Sequence, residues 1–178
     1  LDDESAQVRR TVVTGLGYRR DLHNSELDLV ALLQPKLYDC DSRVASAAVV
    51  ALSRMGDDAA AHHLYQFLLS QKAPLQLQIE TIRALTWVGT ISGLEYLQQA
   101  LNIIRSQTLC EQIVTVLGRV QQSDLIHKAA DILLEMLHQK HPACSIDTVR
   151  SAIALSLGQL GRVDAVEALT TLLNDSNT

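Results

Sequence analysis

One apolar pattern recurs five times along the chain, at intervals of 32 to 40 residues. Its five starts are Val8, Val44, Leu77, Leu109 and Val149. Each start is followed eight positions later by a leucine, and these are Leu16, Leu52, Leu85, Leu117 and Leu157. A period of this length is typical of stacked helical hairpins, in which each hairpin buries its apolar face against its neighbours. The sequence therefore predicts five hairpins.

Each repeat divides into a first helix, A, and a second helix, B. The five repeats are expected to span residues 5–38, 42–70, 74–105, 107–139 and 147–174. The A helices are expected near 5–18, 42–55, 74–88, 107–120 and 147–160, and the B helices near 25–38, 58–70, 92–105, 124–139 and 164–174. Only three prolines occur, and no alternation of apolar and polar residues is sustained, which argues against strands. The predicted fold is an all-α, right-handed α-solenoid of about ten helices, forming a single array over residues 1–178.

The register of the repeats also predicts which residues are buried and where helices end. The five leucines are expected to be buried between the A and B helices of their repeats. In the last B helix, Val166 and the leucines after it are expected to continue the buried stripe that begins at Leu94 in the third repeat. Pro35 is expected to kink the first B helix or end it early. The sequence Ser92-x-x-Glu95 fits a capping box at the start of the third B helix.

Charge and composition argue against several classes of partner and of cellular location. The net charge is −5, which disfavours binding to nucleic acid or to an anionic membrane surface. No apolar run approaches the roughly 20 residues that a transmembrane helix needs. The cysteines, Cys40, Cys110 and Cys144, are odd in number and form no Cys-x-x-Cys pair. We therefore expect no disulfide framework and a reducing, cytoplasmic location.

Both ends of the sequence look like junctions between repeats. The stretch Leu1-Asp2-Asp3-Glu4-Ser5 has the same character as Leu172-Leu173-Asn174-Asp175-Ser176. Solenoids usually end in atypical repeats with a polar outer face, and neither end has that character. We therefore expect these repeats to be a fragment of a longer solenoid.

The last repeat carries the most complete version of the pattern. It contains Asp147, Val149-Arg150, Ile153-Ala154, Leu157-Gly158-Gln159-Leu160-Gly161 and Leu172-Leu173-Asn174-Asp175. The first repeat keeps Val8-Arg9 and Leu16-Gly17 but has Arg20 where the second glycine belongs. The chain resembles the HEAT-repeat family, specifically the PBS (phycobilisome) lyase HEAT-like repeat type. The resemblance implies an α-solenoid that acts as a general-purpose scaffold, in a family that also includes chromophore lyases, enzymes, transport factors and adaptors.

Histidines and cysteines provide two patterns that could indicate metal chemistry. Some HEAT-like proteins are iron enzymes that use His-Glu pairs, but no histidine in this sequence is followed by a carboxylate residue. The segment His138-x-x-His141-x-x-Cys144 has ligand-like spacing, but a fourth ligand is not nearby in sequence, so we interpret it as a polar turn. No catalytic triad or glycine-rich phosphate loop stands out. The sequence therefore predicts a protein that is not an enzyme, with no catalytic residues, no cofactor and no metal.

Two surfaces are candidates for binding a partner. The B helices should line the concave side of the solenoid, and their polar residues in the central repeats are His62, His63, Tyr65, Glu95, Gln98, Gln99 and Lys128. The second surface is a row of residues ten positions after the repeat starts, formed by Tyr18, Arg54, Trp87 and Arg119. Tyr, Trp and Arg are the residue types enriched in binding hot spots. The B-helix surface is the predicted binding face, and the row is the second candidate.

Arginines cluster around Tyr18 in the first repeat, namely Arg9, Arg10, Arg19 and Arg20. Such a cluster can bind a phosphate or an acidic peptide. It can also serve the fold, if Arg9 pairs with aspartates at the repeat junction and the other arginines cover exposed helix ends. We favour the structural interpretation.

The predicted function is a non-enzymatic protein–protein interaction scaffold that uses the concave face of the solenoid. A preorganised surface reduces the ordering cost of association. The expected partner is another protein or another domain of the parent chain, with no membrane involved. The alternative is a phycobilisome or bilin-lyase-type factor that handles a chromophore, in which arginines of the groove would bind the propionates of an open-chain tetrapyrrole. Nucleic-acid handling is a third and weaker interpretation because of the acidic balance.

Overall fold

The computed structural model describes residues 1–19, 28–70 and 72–173. In chain order its helices are α1 (Ala6–Leu16), α2 (Leu29–Leu33), α3 (Ser42–Ser53), α4 (Asp58–Leu69), α5 (Leu75–Trp87), α6 (Ile91–Ile103), α7 (Gln107–Leu117), α8 (Ser123–His138), α9 (Asp147–Leu160) and α10 (Ala165–Leu173). Odd numbers are A helices and even numbers are B helices. No strand occurs in these described ranges, and the predicted all-α hairpin architecture is confirmed. The predicted first residues of the first B helix, 25–27, lie outside them.

The chain divides into two compact units, Leu1–Leu97 and Gln98–Thr178. In the first unit, α1 packs against α3, and α3 packs against α5. In the second unit, α7 packs against α9, and α10 packs against both α8 and α9. Consecutive A helices therefore lie side by side within each unit.

Glycine allows neighbouring A helices to approach each other closely. A Cβ atom on Gly17 would lie 2.8 Å from the Cβ of Ala51 on the next A helix. The equivalent residue of the fourth repeat, Gly118, would place a Cβ 2.5 Å from the Cβ of Ser156. Atoms in a protein interior are already closely packed, so a side chain at either glycine would push the helices apart. The small residue nine positions after the repeat start is thus required by packing at these two junctions.

Three A helices are followed by a glycine that lies twelve positions after the repeat start. Gly56, Gly89 and Gly161 adopt the left-handed conformation there, with φ of +73°, +74° and +66°. Glycine reaches this conformation without the steric penalty that a Cβ imposes, and it is the usual residue after a helix C-terminus. The N–H of Gly161 donates to the carbonyl of Leu157 over 3.3 Å. These glycines let the chain turn from the A helix into the B helix.

Four of the five repeat leucines are buried as predicted. Leu52, Leu85 and Leu117 are fully buried, and Leu157 is nearly so. Leu16 is only half-buried, so the prediction is wrong for the first repeat. Leu16 was expected to be covered by the B helix of its own repeat, and the described part of that helix, α2, is only five residues long (Leu29–Leu33).

The predicted buried stripe is wrong in the last B helix. Val166 is 57% exposed and Leu173 is 85% exposed, whereas Leu94 of the third repeat is fully buried. The buried residue of α10 is Ala165. No further hairpin follows α10 among the described residues, so the side of α10 that would face a following hairpin stays open to solvent.

Two helix ends depend on local chemistry. α2 ends two residues before Pro35, and the chain continues as a 3₁₀ turn over Gln34–Tyr38, which confirms the early end predicted for this proline. At the start of α6, Oγ1 of Thr90 accepts a hydrogen bond from the N–H of Gly93 over 3.2 Å. Thr90 therefore caps the helix, and the predicted capping box at Ser92 is wrong because Ser92 already lies inside the helix.

Candidate functional site

Four side chains from consecutive B helices of the first unit meet on the exposed side of α4 and α6. The rings of Tyr65 and Tyr96 are stacked, with centroids 4.7 Å apart and planes 16° from parallel. The Nδ1 atom of His62 lies 3.1 Å from the hydroxyl oxygen of Tyr96, and its Nε2 atom lies 2.9 Å from the amide nitrogen of Gln66. We call His62, Tyr65, Gln66 and Tyr96 the tyrosine cluster.

The hydrogen bonds of the tyrosine cluster indicate which tautomer the neutral ring of His62 adopts. The amide nitrogen of Gln66 can only donate, so Nε2 of His62 accepts. In the neutral ring Nδ1 then carries the proton and donates to the hydroxyl oxygen of Tyr96. Both ring nitrogens are occupied, and the cluster is therefore held together before any partner arrives.

Helical spacing explains why these residues share a face. His62, Tyr65 and Gln66 are three and four positions apart on α4, so their side chains project from the same side of the helix. The opposite side of α4 packs into the core through residues such as Leu64 and Phe67. His62 and Gln66 are exposed and Tyr65 is half-buried, so the cluster lies at the boundary between the core and the solvent.

The structure brings together only some of the residues predicted for the B-helix surface. His62 and Tyr65 belong to the tyrosine cluster, but the Nδ1 atom of His63 is buried and has no hydrogen-bond partner within the described part of the chain. Glu95 and Gln99 are exposed on α6. Sequence reasoning missed Tyr96, although tyrosines on two consecutive B helices were a signal that could have indicated it.

The remaining predicted residues of this surface lie in the second unit. Gln98 is half-buried and donates to Oε2 of Glu135 over 2.6 Å. Gln139 donates to the other oxygen of the same carboxylate, also over 2.6 Å. Lys128 is half-buried on α8. The bond between Gln98 and Glu135 joins the C-terminal part of α6 to α8 within the second unit, so Gln98 contributes to packing there as well as to the surface.

The second predicted surface is partly assembled in the first unit. The guanidinium carbon of Arg54 lies 4.3 Å from the centre of the Tyr18 ring, which is the geometry of a cation–π interaction. Tyr18 is 68% exposed and Trp87 is 63% exposed. Arg119 is exposed in the second unit. Two of the four predicted residues, Tyr18 and Arg54, are therefore in direct contact.

Arg9 is a structural residue, as the favoured interpretation of the arginine cluster requires. It is buried, and its guanidinium donates to both carboxylate oxygens of Asp39 over 2.9 and 2.8 Å. It also donates to the carbonyls of Asp3 and Glu4 over 2.8 and 3.0 Å. The hydrogen bonds from Arg9 lower the pKa of the Asp39 carboxyl. Arg20, from the same cluster, lies outside the described residues.

The linker with the His138, His141 and Cys144 spacing is used by the fold. Nδ1 of His141 accepts from the N–H of Ala143 over 3.2 Å, and Sγ of Cys144 donates to the carbonyl of Met136 over 3.4 Å. Burial lowers the pKa of His141 and raises the pKa of Cys144, so both stay neutral more readily. No group of metal-binding side chains is found in the described part of the chain. The interpretation of this segment as a polar turn agrees with these contacts.

A cavity of about 560 Å³ lies beside this linker in the second unit. Its lining includes Arg150 and Glu167. The guanidinium of Arg150 donates to the carbonyl of Cys144 over 2.9 Å and to the carboxylate of Asp147 over 2.7 Å. The arginine of this cavity is therefore already engaged by the fold.

Two protein-family models match the chain. The model for HEAT repeats matches residues 1–80, and the model for the PBS lyase HEAT-like repeat matches residues 149–175. The chain belongs to the HEAT-repeat family. No curated protein matches it. Membership of this family agrees with the helical hairpins described above, which are the repeating units of the chain.

The first and last HEAT repeats use the same arginine brace. Arg9 and Arg150 both lie one position after a repeat start, and each donates to the carbonyl of the residue six positions before it, Asp3 or Cys144. Arg9 also pairs with Asp39, which lies just before the next A helix, α3, whereas Arg150 pairs with Asp147, the first residue of its own A helix. The arginine of the Val-Arg pair in these HEAT repeats therefore fixes how the chain enters the A helix. It is a feature of the fold and not of a binding site.

None of the described helices is long and apolar enough to cross a lipid bilayer. Two contacts between aromatic or cationic side chains lie at the surface of the first unit, namely the stacked rings of the tyrosine cluster and the contact of Arg54 with Tyr18. These two groups are the candidate binding sites of the first unit.

Proposed function

We propose that the chain is a non-catalytic scaffold that binds another protein, or another domain of its parent chain, through the B-helix surface centred on the tyrosine cluster. The observation that supports this proposal best is the stacking of Tyr65 on Tyr96 at the surface, where the hydroxyl of Tyr96 is hydrogen-bonded to His62 and His62 in turn to Gln66. Tyrosine presents a large amphipathic surface, and its rotamers are few. Because the rings are already ordered, binding loses little side-chain entropy.

The surroundings of the tyrosine cluster suit a polar protein surface. Glu95, the neighbour of Tyr96 in the sequence, is exposed, and so are His62 and Gln66. A central aromatic group with a polar rim is the usual arrangement of a protein-binding hot spot. His62 is a poor candidate for a general base, since Tyr96 and Gln66 occupy its two ring nitrogens.

Chromophore handling has less support from the structure. A tetrapyrrole site would use arginines to bind the propionate groups. Arg150 lines the cavity beside the linker, but it is bonded to Cys144 and Asp147. Using this arginine for a chromophore would break the brace that holds the start of α9.

The test compares how the partner's affinity changes when an aromatic residue is removed from a B helix or from an A helix. A partner is first captured on the immobilised chain from an extract of the source cell, and its affinity for purified variants is then measured by titration calorimetry. Tyr96→Ala should weaken binding by about thirtyfold, the effect expected of a hot-spot residue. Trp87→Ala is the matched control, because it removes an exposed aromatic side chain from the A helix α5.

Circular dichroism of each variant checks that the helices are intact. The proposal is supported if Tyr96→Ala weakens the partner and Trp87→Ala does not. If the partner binds Tyr96→Ala as tightly as the unaltered chain, the B-helix surface is not where it docks.

A further inference from the structure

A second cleft lies between the first two A helices, away from the tyrosine cluster. Its volume is about 190 Å³. Three of its lining residues, Arg10, Thr14 and Tyr18, follow one another at four-residue spacing along α1 and its C-terminal end. Arg43 and Arg54 line it from the two ends of α3. Two neighbouring helices thus bring three guanidinium groups and one phenol to a single cleft.

The arginines of this cleft differ in how they are held. Arg54 lies over the ring of Tyr18, which keeps its guanidinium at the surface in a fixed place. Arg43 donates two hydrogen bonds to the carboxylate of Asp41, over 3.1 and 2.8 Å, so its charge is partly neutralised. Arg10 is exposed. The positive charge available to a ligand therefore comes mainly from Arg10 and Arg54.

Between Arg43 and Arg54, the residues of α3 that line the cleft are small and mostly apolar. They are Ala47, Val50 and Ala51, and also Ser46. The hydroxyl of Ser46 donates to Oε2 of Glu80 over 2.7 Å, which places one carboxylate at the border of the cleft. Apolar lining residues beside exposed guanidinium groups suit a ligand side chain that has methylene groups and a terminal negative charge, such as glutamate.

We propose that this cleft binds an acidic peptide segment, with a glutamate or aspartate side chain paired with Arg10 and Arg54 and its methylene groups over Val50. Guanidinium groups bind carboxylates through paired, charge-assisted hydrogen bonds. The cation–π contact with Tyr18 orders Arg54 in advance and lowers the cost of ordering it on binding. This site is separate from the B-helix surface and extends the function of the array to a second ligand.

A peptide is favoured over a nucleic acid by size and charge. A cleft of about 190 Å³ accepts one or two side chains. Nucleic-acid binding depends on many phosphate contacts along an extended positive surface, whereas the chain has a net charge of −5. A local pair of arginines within an acidic protein selects a short acidic segment over a long polyanion.

The test is a fluorescence anisotropy titration of the full 178-residue chain with a labelled peptide of alternating glutamate and alanine. The same peptide with glutamine in place of glutamate is the ligand control. Arg10→Glu and Arg54→Glu should each weaken binding by about tenfold or more, as expected for loss of a charge-assisted contact followed by repulsion. Arg83→Glu makes the same charge change at an exposed position on α5 and should leave affinity within about twofold.

Several results would overturn the proposal. Equal binding of the glutamine peptide would show that carboxylates are not recognised, and an equal effect of Arg83→Glu would show that only net charge matters. Displacement of the peptide by single-stranded DNA at a lower concentration than by unlabelled peptide would assign the cleft to nucleic acid. Tyr96→Ala should not change peptide binding, so failure of this proposal and failure of the B-helix proposal are distinguishable.

Discussion

Gly118 and Gly158 occupy the same position in their repeats, but they have different neighbours. A Cβ on Gly118 would lie 2.5 Å from both Cβ and Oγ of Ser156 and 2.6 Å from its Cα. Since Cα belongs to the backbone, a new rotamer of Ser156 cannot relieve the clash, and α7 and α9 must move apart. Overpacking of this kind costs about 1–3 kcal/mol. Gly118→Ala should therefore lower the free energy of unfolding by about that amount.

Gly158→Ala is the matched control, and its effect should have the opposite sign. Nothing lies within 4 Å of the place that a Cβ on Gly158 would occupy. Gly158 lies within α9, where alanine is favoured over glycine by about 0.5–1 kcal/mol. The same substitution at the same register should thus destabilise the fourth repeat and stabilise the fifth.

Urea denaturation followed by far-ultraviolet circular dichroism measures both changes. Hydrogen exchange locates them, because the amides of α7 and α9 should exchange faster in Gly118→Ala. The Ser156 hydroxyl should also lose its hydrogen bond to Val114, which is 3.0 Å long in the structure. If both alanine variants are more stable than the unaltered chain, the close approach of these helices does not constrain the sequence.

Two further predictions concern a core leucine and a buried ion pair. Leu85→Ala should lower the free energy of unfolding by about 2–5 kcal/mol, because Leu85 is fully buried. Leu16→Ala should lower it by less than half as much, because Leu16 is half-buried. Equal losses of the two variants in urea denaturation would show that the assigned repeat register is wrong. Arg9 lowers the pKa of Asp39, so the pair stabilises the fold fully above the unfolded-state pKa of about 3.9 and loses this effect as pH falls through the lower folded-state value. Asp39→Asn should therefore flatten the decrease in Tm below about pH 4, and a thermal unfolding series with an unchanged pH profile would show that the pair does not stabilise the fold.

The repeat register could be predicted because local chemistry sets both ends of each A helix. The apolar period defines the side of the helix that is buried, and a left-handed glycine such as Gly161 marks the helix end. The observed starts of α7 and α9, residues 107 and 147, coincide with the predicted ones. Burial at Leu16 and Val166 could not be predicted in this way. Periodicity identifies an apolar face, but it does not show whether a neighbouring helix covers that face.

The candidate sites were predictable in part for a similar reason. His62 and Tyr65 are polar or aromatic residues at helical spacing, so sequence alone placed them on an exposed face. The sequence did not indicate that Tyr96 belongs to the site, because its position between the buried residues Leu94 and Leu97 is typical of a core residue. Its contact with Tyr65 depends on the distance between α4 and α6, which only the folded structure provides. The pairing of Arg9 with an aspartate followed from its place at a repeat junction.

Trp87 is the chain's single tryptophan, and its side chain is 63% exposed. Its indole is in contact with water in the folded protein, much as it would be in an unfolded chain. Intrinsic tryptophan emission should therefore change little when the helices separate, and a fluorescence melt would understate the cooperativity of unfolding. The same emission should shift when a ligand or partner covers the end of α5. The emission of Trp87 therefore reports on the environment of the protein surface rather than on that of the core.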